Sequence, residues 1–162
     1  MENSDSVEKN FLKVIHDYQA IIYKVSALYQ DSQEDREDLF QEIVYQLWKS
    51  FPGFKNESKI SSWMYRIALN TAMAIYRKPR APVKYYQDLP QSLHPWQVAT
   101  ISENQERLFE ALRRLNDSEK AIISLYLEDF NYKEIATITG LTENNIGVRL
   151  NRIKSKLKEI IK

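Results

Sequence analysis

Apolar and polar positions along this chain recur with the period of a helix almost throughout. Phe11, Val14, Ile15, Tyr18, Ile21, Ile22, Val25 and Leu28 follow the i, i+3, i+4, i+7 spacing of one buried stripe, which predicts a long amphipathic helix. A second helix, started by Asp31 or Ser32, carries Leu39, Phe40, Ile43, Val44, Leu47 and Trp48 inward, and Phe51-Pro52-Gly53-Phe54 stops it. The third begins near Ser58, with Ile60, Trp63, Met64, Ile67, Ala68, Thr71 and Ile75 down one side. Four prolines, Pro79, Pro82, Pro90 and Pro95, then interrupt the pattern, because proline lacks the N–H and restricts the residue before it. That stretch reads as a linker, and its Arg80, Lys84, Tyr85, Tyr86 and Trp96 suit a segment that docks on something.

Helical spacing resumes after the linker. Leu108, Leu112 and Leu115 predict one helix ended by Asn116-Asp117, and Ile122, Ile123, Tyr126 and Leu127 predict the next. Asn131-Tyr132-Lys133-Glu134 has capping-box spacing and leads into Ile135, Ala136 and Ile138. Gly140 suits a turn with positive φ, and Thr142 caps a last helix to about residue 160, with Ile146, Leu150, Ile153 and Leu157 inward. A short helix, a tight glycine turn and a capped basic helix make a helix-turn-helix. The fold class expected is all-α, with a helical bundle over 1–78, a linker over 79–104 and a four-helix helix-turn-helix domain over 105–162.

Composition narrows what such a fold can do. With 43% apolar residues in 162, disorder of the whole chain is not expected. No apolar run approaches the roughly 20 residues that span a bilayer, and Met1-Glu2-Asn3-Ser4-Asp5 does not resemble a signal-peptide start. Zero Cys excludes disulfides and thiolate chemistry and fits a reducing, cytoplasmic setting. The net charge of +1 conceals alternation: residues 1–60 hold 7 basic and 11 acidic side chains, 61–90 hold 5 and 1, 91–130 hold 4 and 7, and 131–162 hold 7 and 3. Cations concentrated near helix ends suit nucleic-acid phosphates, although solvated faces also produce such blocks.

Candidate chemistry follows from these faces. Asp35, Asp38, Gln41 and Glu42 lie on the polar side of the second helix, backed by Leu39, and suit a basic partner protein. Phe54, Lys55, Asn56 and Ser58 in the loop, with Lys59, Ser62, Arg66, Asn70, Arg77 and Lys78 along and beyond the third helix, suit unstacked bases. There aromatics stack, amides read edges and cations hold phosphates. In the last helix, Asn144, Asn145, Val148 and Arg149 occupy the turns that enter a major groove, while Arg152, Lys154 and Lys156 suit backbone contact. Competing readings are a terminal helix with merely solvated lysines, a dimeric helix-turn-helix regulator, and a carboxylate nuclease using Asp35, Asp38 and Glu42. The nuclease lacks an imidazole or phosphate loop to complete its site.

Taken in order, Asp35-x-x-Asp38-Leu39-x-Gln41-Glu42, Phe54-x-x-x-Ser58, Trp63-Met64-Tyr65-Arg66-Ile67-Ala68-x-Asn70 and the late helix-turn-helix resemble regions 2 and 4 of bacterial RNA polymerase sigma factors. The short chain resembles the extracytoplasmic-function (ECF) group in particular. That resemblance implies a non-enzymatic initiation factor without cofactor or metal, whose partners are core RNA polymerase, promoter DNA and an anti-sigma factor. It implies that Asp35, Asp38, Leu39, Gln41 and Glu42 grip the β′ clamp helices, and that a second contact falls on the β flap. It further implies that the Phe54–Ser58 loop and the helix after it capture an extruded base of the minus-10 strand, with Arg77 and Lys78 on backbone. The last helix, from Thr142 onward, is implied to read the minus-35 duplex. Gly147 and Val148 depart from the family, which commonly has Lys followed by Ser or Thr there. The stretch after Asn70 is also less basic than the family's.

Overall fold

The computed structural model describes residues 4–54, 59–75 and 102–161. Regular structure among them is helical, and the chain divides into two compact units, Met1–Ala99 and Thr100–Lys162. The first unit holds α1 (Ser4–Tyr29), α2 (Gln33–Ser50), a 3-10 turn at Phe51–Gly53, and α3 (Ile60–Ile75). Most of its core is the expected one for α1 and α2: Phe11, Ile15, Ile22, Leu28, Leu39, Ile43 and Leu47 have essentially no exposed surface, whereas Val14, Tyr18 and Trp48, also expected inward, are half-buried. α1 bends at Tyr18, whose φ of −118° and ψ of 17° are not helical. The Gln19 amide donates to the His16 carbonyl at 3.3 Å beside that break.

Ser32 caps α2 by accepting the Asp35 N–H at 3.1 Å. The α1–α2 turn is fastened by Arg36, which is buried and donates from Nε to the Gln30 carbonyl at 3.0 Å. The face of α3 is rotated from the expected one. Met64 and Ala68 are buried as read, but Tyr65, Leu69 and Ala72 join them, while Ile60, Trp63, Ile67, Thr71 and Ile75 are only half-buried. Packing against α1 and α2 together demands a wider apolar arc than one stripe, and periodicity alone does not place its centre.

The second unit holds α4 (Glu103–Arg113), α5 (Asp117–Leu127), α6 (Tyr132–Thr139) and α7 (Glu143–Ile161). Three capping boxes, Ser102 with Gln105, Asn116 with Glu119 and Asn131 with Glu134, set three of the helix starts. α4 therefore begins inside the expected linker, whose Arg80, Lys84, Tyr85, Tyr86 and Trp96 lie outside the described residues. Leu112, Leu115, Ile122, Leu125, Ile135, Ile146, Leu150 and Ile153 form the core. Leu108 and Leu127, read as inward, are 43% and 50% exposed.

α5 ends in a Schellman turn, with Phe130 N–H donating to the Leu125 carbonyl and Asp129 N–H to Tyr126. Asp129 takes the left-handed conformation (φ 66°) that glycine usually supplies there. Gly140 ends α6 at φ 81°, its N–H reaching the Ala136 carbonyl at 2.8 Å, and Thr142 caps α7 by accepting the Asn145 N–H at 3.1 Å. The glycine turn holds α6 and α7 in the expected helix-turn-helix.

Candidate nucleic-acid and partner interfaces

On α2 the predicted partner face separates into an outer and an inner part. Asp35, Asp38 and Gln41 are half-buried, and Glu34 and Glu37 beside them are exposed. Leu39 has no exposed surface, so it holds the helix from the core rather than offering a contact. Glu42 is also buried, at 7% exposure, and accepts from Gln46 Nε2 at 3.0 Å. The expectation of an outward Glu42 is therefore corrected: tertiary packing around α2 covers it. Outward negative charge rests on Glu34, Asp35, Glu37 and Asp38. Glu37 falls at an unassigned position of the motif, and its place among the exposed residues needed the structure.

Lys59, Ser62, Arg66 and Asn70 fall on one line along α3, spanning about 16 Å at the helical rise. Lys59, Arg66 and Asn70 are exposed and Ser62 is half-buried. Lys55, Asn56, Ser58, Arg77 and Lys78 lie outside the described residues. Phe54 is half-buried, its ring 4.9 Å from that of Trp63. Trp63 in turn faces Phe51 at 6.2 Å, and Phe51 and Trp48 both meet Phe11 edge-on at 5.2 and 5.1 Å. This chain of rings anchors the approach to α3, so the loop before that helix leaves from a fixed point.

In the second unit the predicted contact residues also divide. Arg149 is half-buried and committed internally: Nε donates to Asn145 Oδ1 at 2.8 Å and a terminal nitrogen to Ser118 Oγ at 3.2 Å. Lys154 lies over the Tyr126 ring at 4.5 Å and donates to its hydroxyl at 3.2 Å. Lys156 pairs with Glu119 at 2.6 Å while half of its side chain stays exposed. The outward line of α7 is instead Asn144, Val148, Asn151, Arg152 and Ser155, all exposed at i, i+4, i+7, i+8 and i+11. Asn151 and Ser155 were not singled out in the sequence. The signal was available in their spacing from Asn144.

Glu119 ties α5 to α7. Burial works against its ionisation, but Lys156, the Asn116 N–H and the charges of Lys156 and Arg149 outweigh it, and its carboxyl titrates below the ordinary range. A lowered carboxylate pKa adds stability above the unfolded value of about 4.3, which is lost as pH falls through the folded pKa. Glu119→Gln keeps a capping-box side chain but removes the charge. We expect it to cost about 1 kcal/mol at neutral pH, Lys156 being partly solvated, and to approach the parent chain as pH falls through the folded carboxyl's pKa. Thermal melts of both chains across that range test this; a difference independent of pH would refute it.

Two helical units, one with an acidic face and a cationic third helix and the other with an outward polar line on a helix-turn-helix, set the frame for comparison. Residues 14–81 match sigma-70 region 2, and residues 105–157 match sigma-70 region 4. The chain belongs to the sigma-70 family. The RNA polymerase sigma factor SigV of Bacillus subtilis (strain 168) is 28% identical over 159 residues, covering 94% of this chain and 91% of that protein. The sigma factor YlaC of the same organism is 26% identical over 171 residues, covering 98% and 94%. The ECF RNA polymerase sigma factor EcfG of Rhodopseudomonas palustris (strain TIE-1) is 26% identical over 167 residues, covering 99% and 88%.

Among solved structures, the sigma factor RpoE, crystallised with the anti-sigma factor NepR from Bartonella quintana, superposes with a TM-score of 0.70 at 22% identity, over 94% of this chain and 97% of that one. CnrH, solved with the cytosolic domain of CnrY, gives 0.66 at 18% identity, over 94% and 88%. These likenesses speak for the fold. With both sigma-70 regions matched and ECF sigma factors among its relatives, this sigma factor is of the ECF group. Among the described residues, no helix is long and apolar enough to cross a membrane.

Proposed function

We propose that this ECF sigma factor docks on core RNA polymerase through the acidic outer face of α2, captures minus-10 bases with the loop before α3 and the Lys59–Asn70 line, and reads the minus-35 duplex with α7. The observation that carries this is the order of two sigma-70 regions on two helical units, the first with an acidic outer face on α2 and the second with an outward polar line on α7. Asp38 and its acidic neighbours meet the β′ clamp helices, a contact made by charge complementarity, which steers association and fixes register. Separating the promoter strands costs stacking energy, which capture of an extruded base offsets. Two weak promoter contacts held by one polymerase reinforce each other through effective concentration.

The polymerase performs the chemistry, and the sigma factor supplies recognition. It works in the cytoplasm, where an anti-sigma factor covers one or both DNA faces until a signal releases it; the solved RpoE carries an anti-sigma factor. The test is transcription by sigma-free core polymerase from a promoter library, with and without the chain. Promoter-specific transcripts that appear only with the chain are expected. Duplex binding without initiation would instead favour a dimeric helix-turn-helix regulator.

A further inference from the structure

Val148 is an apolar side chain, 44% exposed, in the middle of an outward line otherwise made of Asn144, Asn151, Arg152 and Ser155. The residue before it explains how the surface is built. A Cβ placed on Gly147 would lie 3.4 Å from Tyr132 Cε2 and 3.9 Å from Cδ2. The tyrosine ring, from the first turn of α6, therefore lies beside Gly147, at ordinary contact distance from where a Cβ would stand. Tyr132 remains 40% exposed.

An exposed apolar side chain on this line changes what the helix can read. In a major groove, base edges present hydrogen-bond donors and acceptors, together with one apolar feature, the C5 methyl of thymine. Valine offers neither donor nor acceptor. Facing a cytosine amine or a guanine oxygen, it would strip water from a polar atom and return no bond. Facing thymine, it buries a methyl against its own. Around it, Arg152 and Asn144 supply the polar contacts that hold the helix in the groove.

We propose that Val148, with Tyr132 beside Gly147, is a specificity determinant that selects a thymine through its methyl group in the minus-35 duplex. The inference rests on the reading of α7 as the minus-35 helix, and the experiment separates the two.

The probe is a minus-35 duplex recovered from the promoter library, bound to the complete holoenzyme, with each thymine replaced in turn by deoxyuridine. That replacement removes one methyl and leaves base pairing intact. The parent chain should lose about fourfold in affinity at one position, the worth of a buried methyl-sized group. Val148→Ala and Val148→Ser should bind thymine and deoxyuridine equally there, and Tyr132→Ala should lessen the difference. Arg152→Ala should weaken binding overall yet keep the deoxyuridine penalty, which separates methyl selection from general affinity. A duplex bound with no deoxyuridine penalty, or a penalty that Val148→Ala retains in full, overturns this inference alone. A library yielding no bound duplex overturns the underlying reading and this inference with it.

Discussion

Asp38→Arg should lower promoter-specific initiation by about 100-fold in transcription reconstituted with sigma-free core polymerase, while the chain stays folded. The expectation follows from where Asp38 sits. It is half-buried on α2, flanked by exposed Glu34 and Glu37, over a core of Leu39, Phe40 and Ile43 that the substitution does not touch. An arginine there has a long stem that can lie along the helix with its guanidinium in water. The same guanidinium meets a basic partner surface as a like charge. Such juxtapositions cost several kcal/mol, and about 3 kcal/mol corresponds to roughly 100-fold in affinity.

Two controls give the loss its meaning. Circular dichroism and thermal melts of the variant should match the parent, and binding of core polymerase measured directly should fall with initiation. A charge-steered contact should also weaken with salt in the parent and lose that dependence in the variant. Undiminished initiation by Asp38→Arg would remove α2 from the polymerase contact. The expected β flap contact would then have to carry docking alone.

How much of this was readable beforehand depended on whether a feature is local. The α1 and α2 stripes, the Asn131–Glu134 box, the Gly140 turn and the Thr142 cap are set by residues within one turn of one another, and spacing sufficed to place them. The boxes at Ser102 and Asn116 had the same spacing but were overlooked, because Asn116 was read as a helix end. The rotation of α3 and the burial of Glu42 are tertiary: they depend on which neighbours a helix packs between, which no window of sequence contains. The same holds for Arg149. Its cationic head looked free for DNA because Ser118, thirty-one residues earlier, is invisible to a helical wheel. Long polar side chains near a core are often held by a distant element, so the residues assigned to a surface are the ones most in need of coordinates.

That difference gives the second large effect. The sequence pointed to Arg149 as a base reader and Arg152 as a backbone contact, whereas the structure ties Arg149 to Asn145 and Ser118 and leaves Arg152 exposed on the outward line. Arg152→Ala should therefore weaken holoenzyme binding to its minus-35 duplex by about 10- to 100-fold, the 1–3 kcal/mol of a good arginine–base contact, with the melting temperature unchanged. Base contact would relax the preference at one position, while phosphate contact would weaken all sequences alike and reduce the salt slope by about one.

Arg149→Ala should behave in the opposite way. It removes two hydrogen bonds that join α7 to itself and to α5, and one of the positive charges favouring the Glu119 carboxylate. Its expected cost is about 1–3 kcal/mol of stability, seen as a lower melting temperature, with affinity at low temperature reduced less than in Arg152→Ala. Measuring both variants by melting and by duplex binding gives four numbers whose pattern discriminates. If Arg149→Ala loses affinity without losing stability while Arg152→Ala binds normally, Arg149 leaves Ser118 on meeting DNA and the free chain holds it in reserve. The stability loss confined to Arg149 and the affinity loss confined to Arg152 would instead establish one arginine as scaffold and the other as reader.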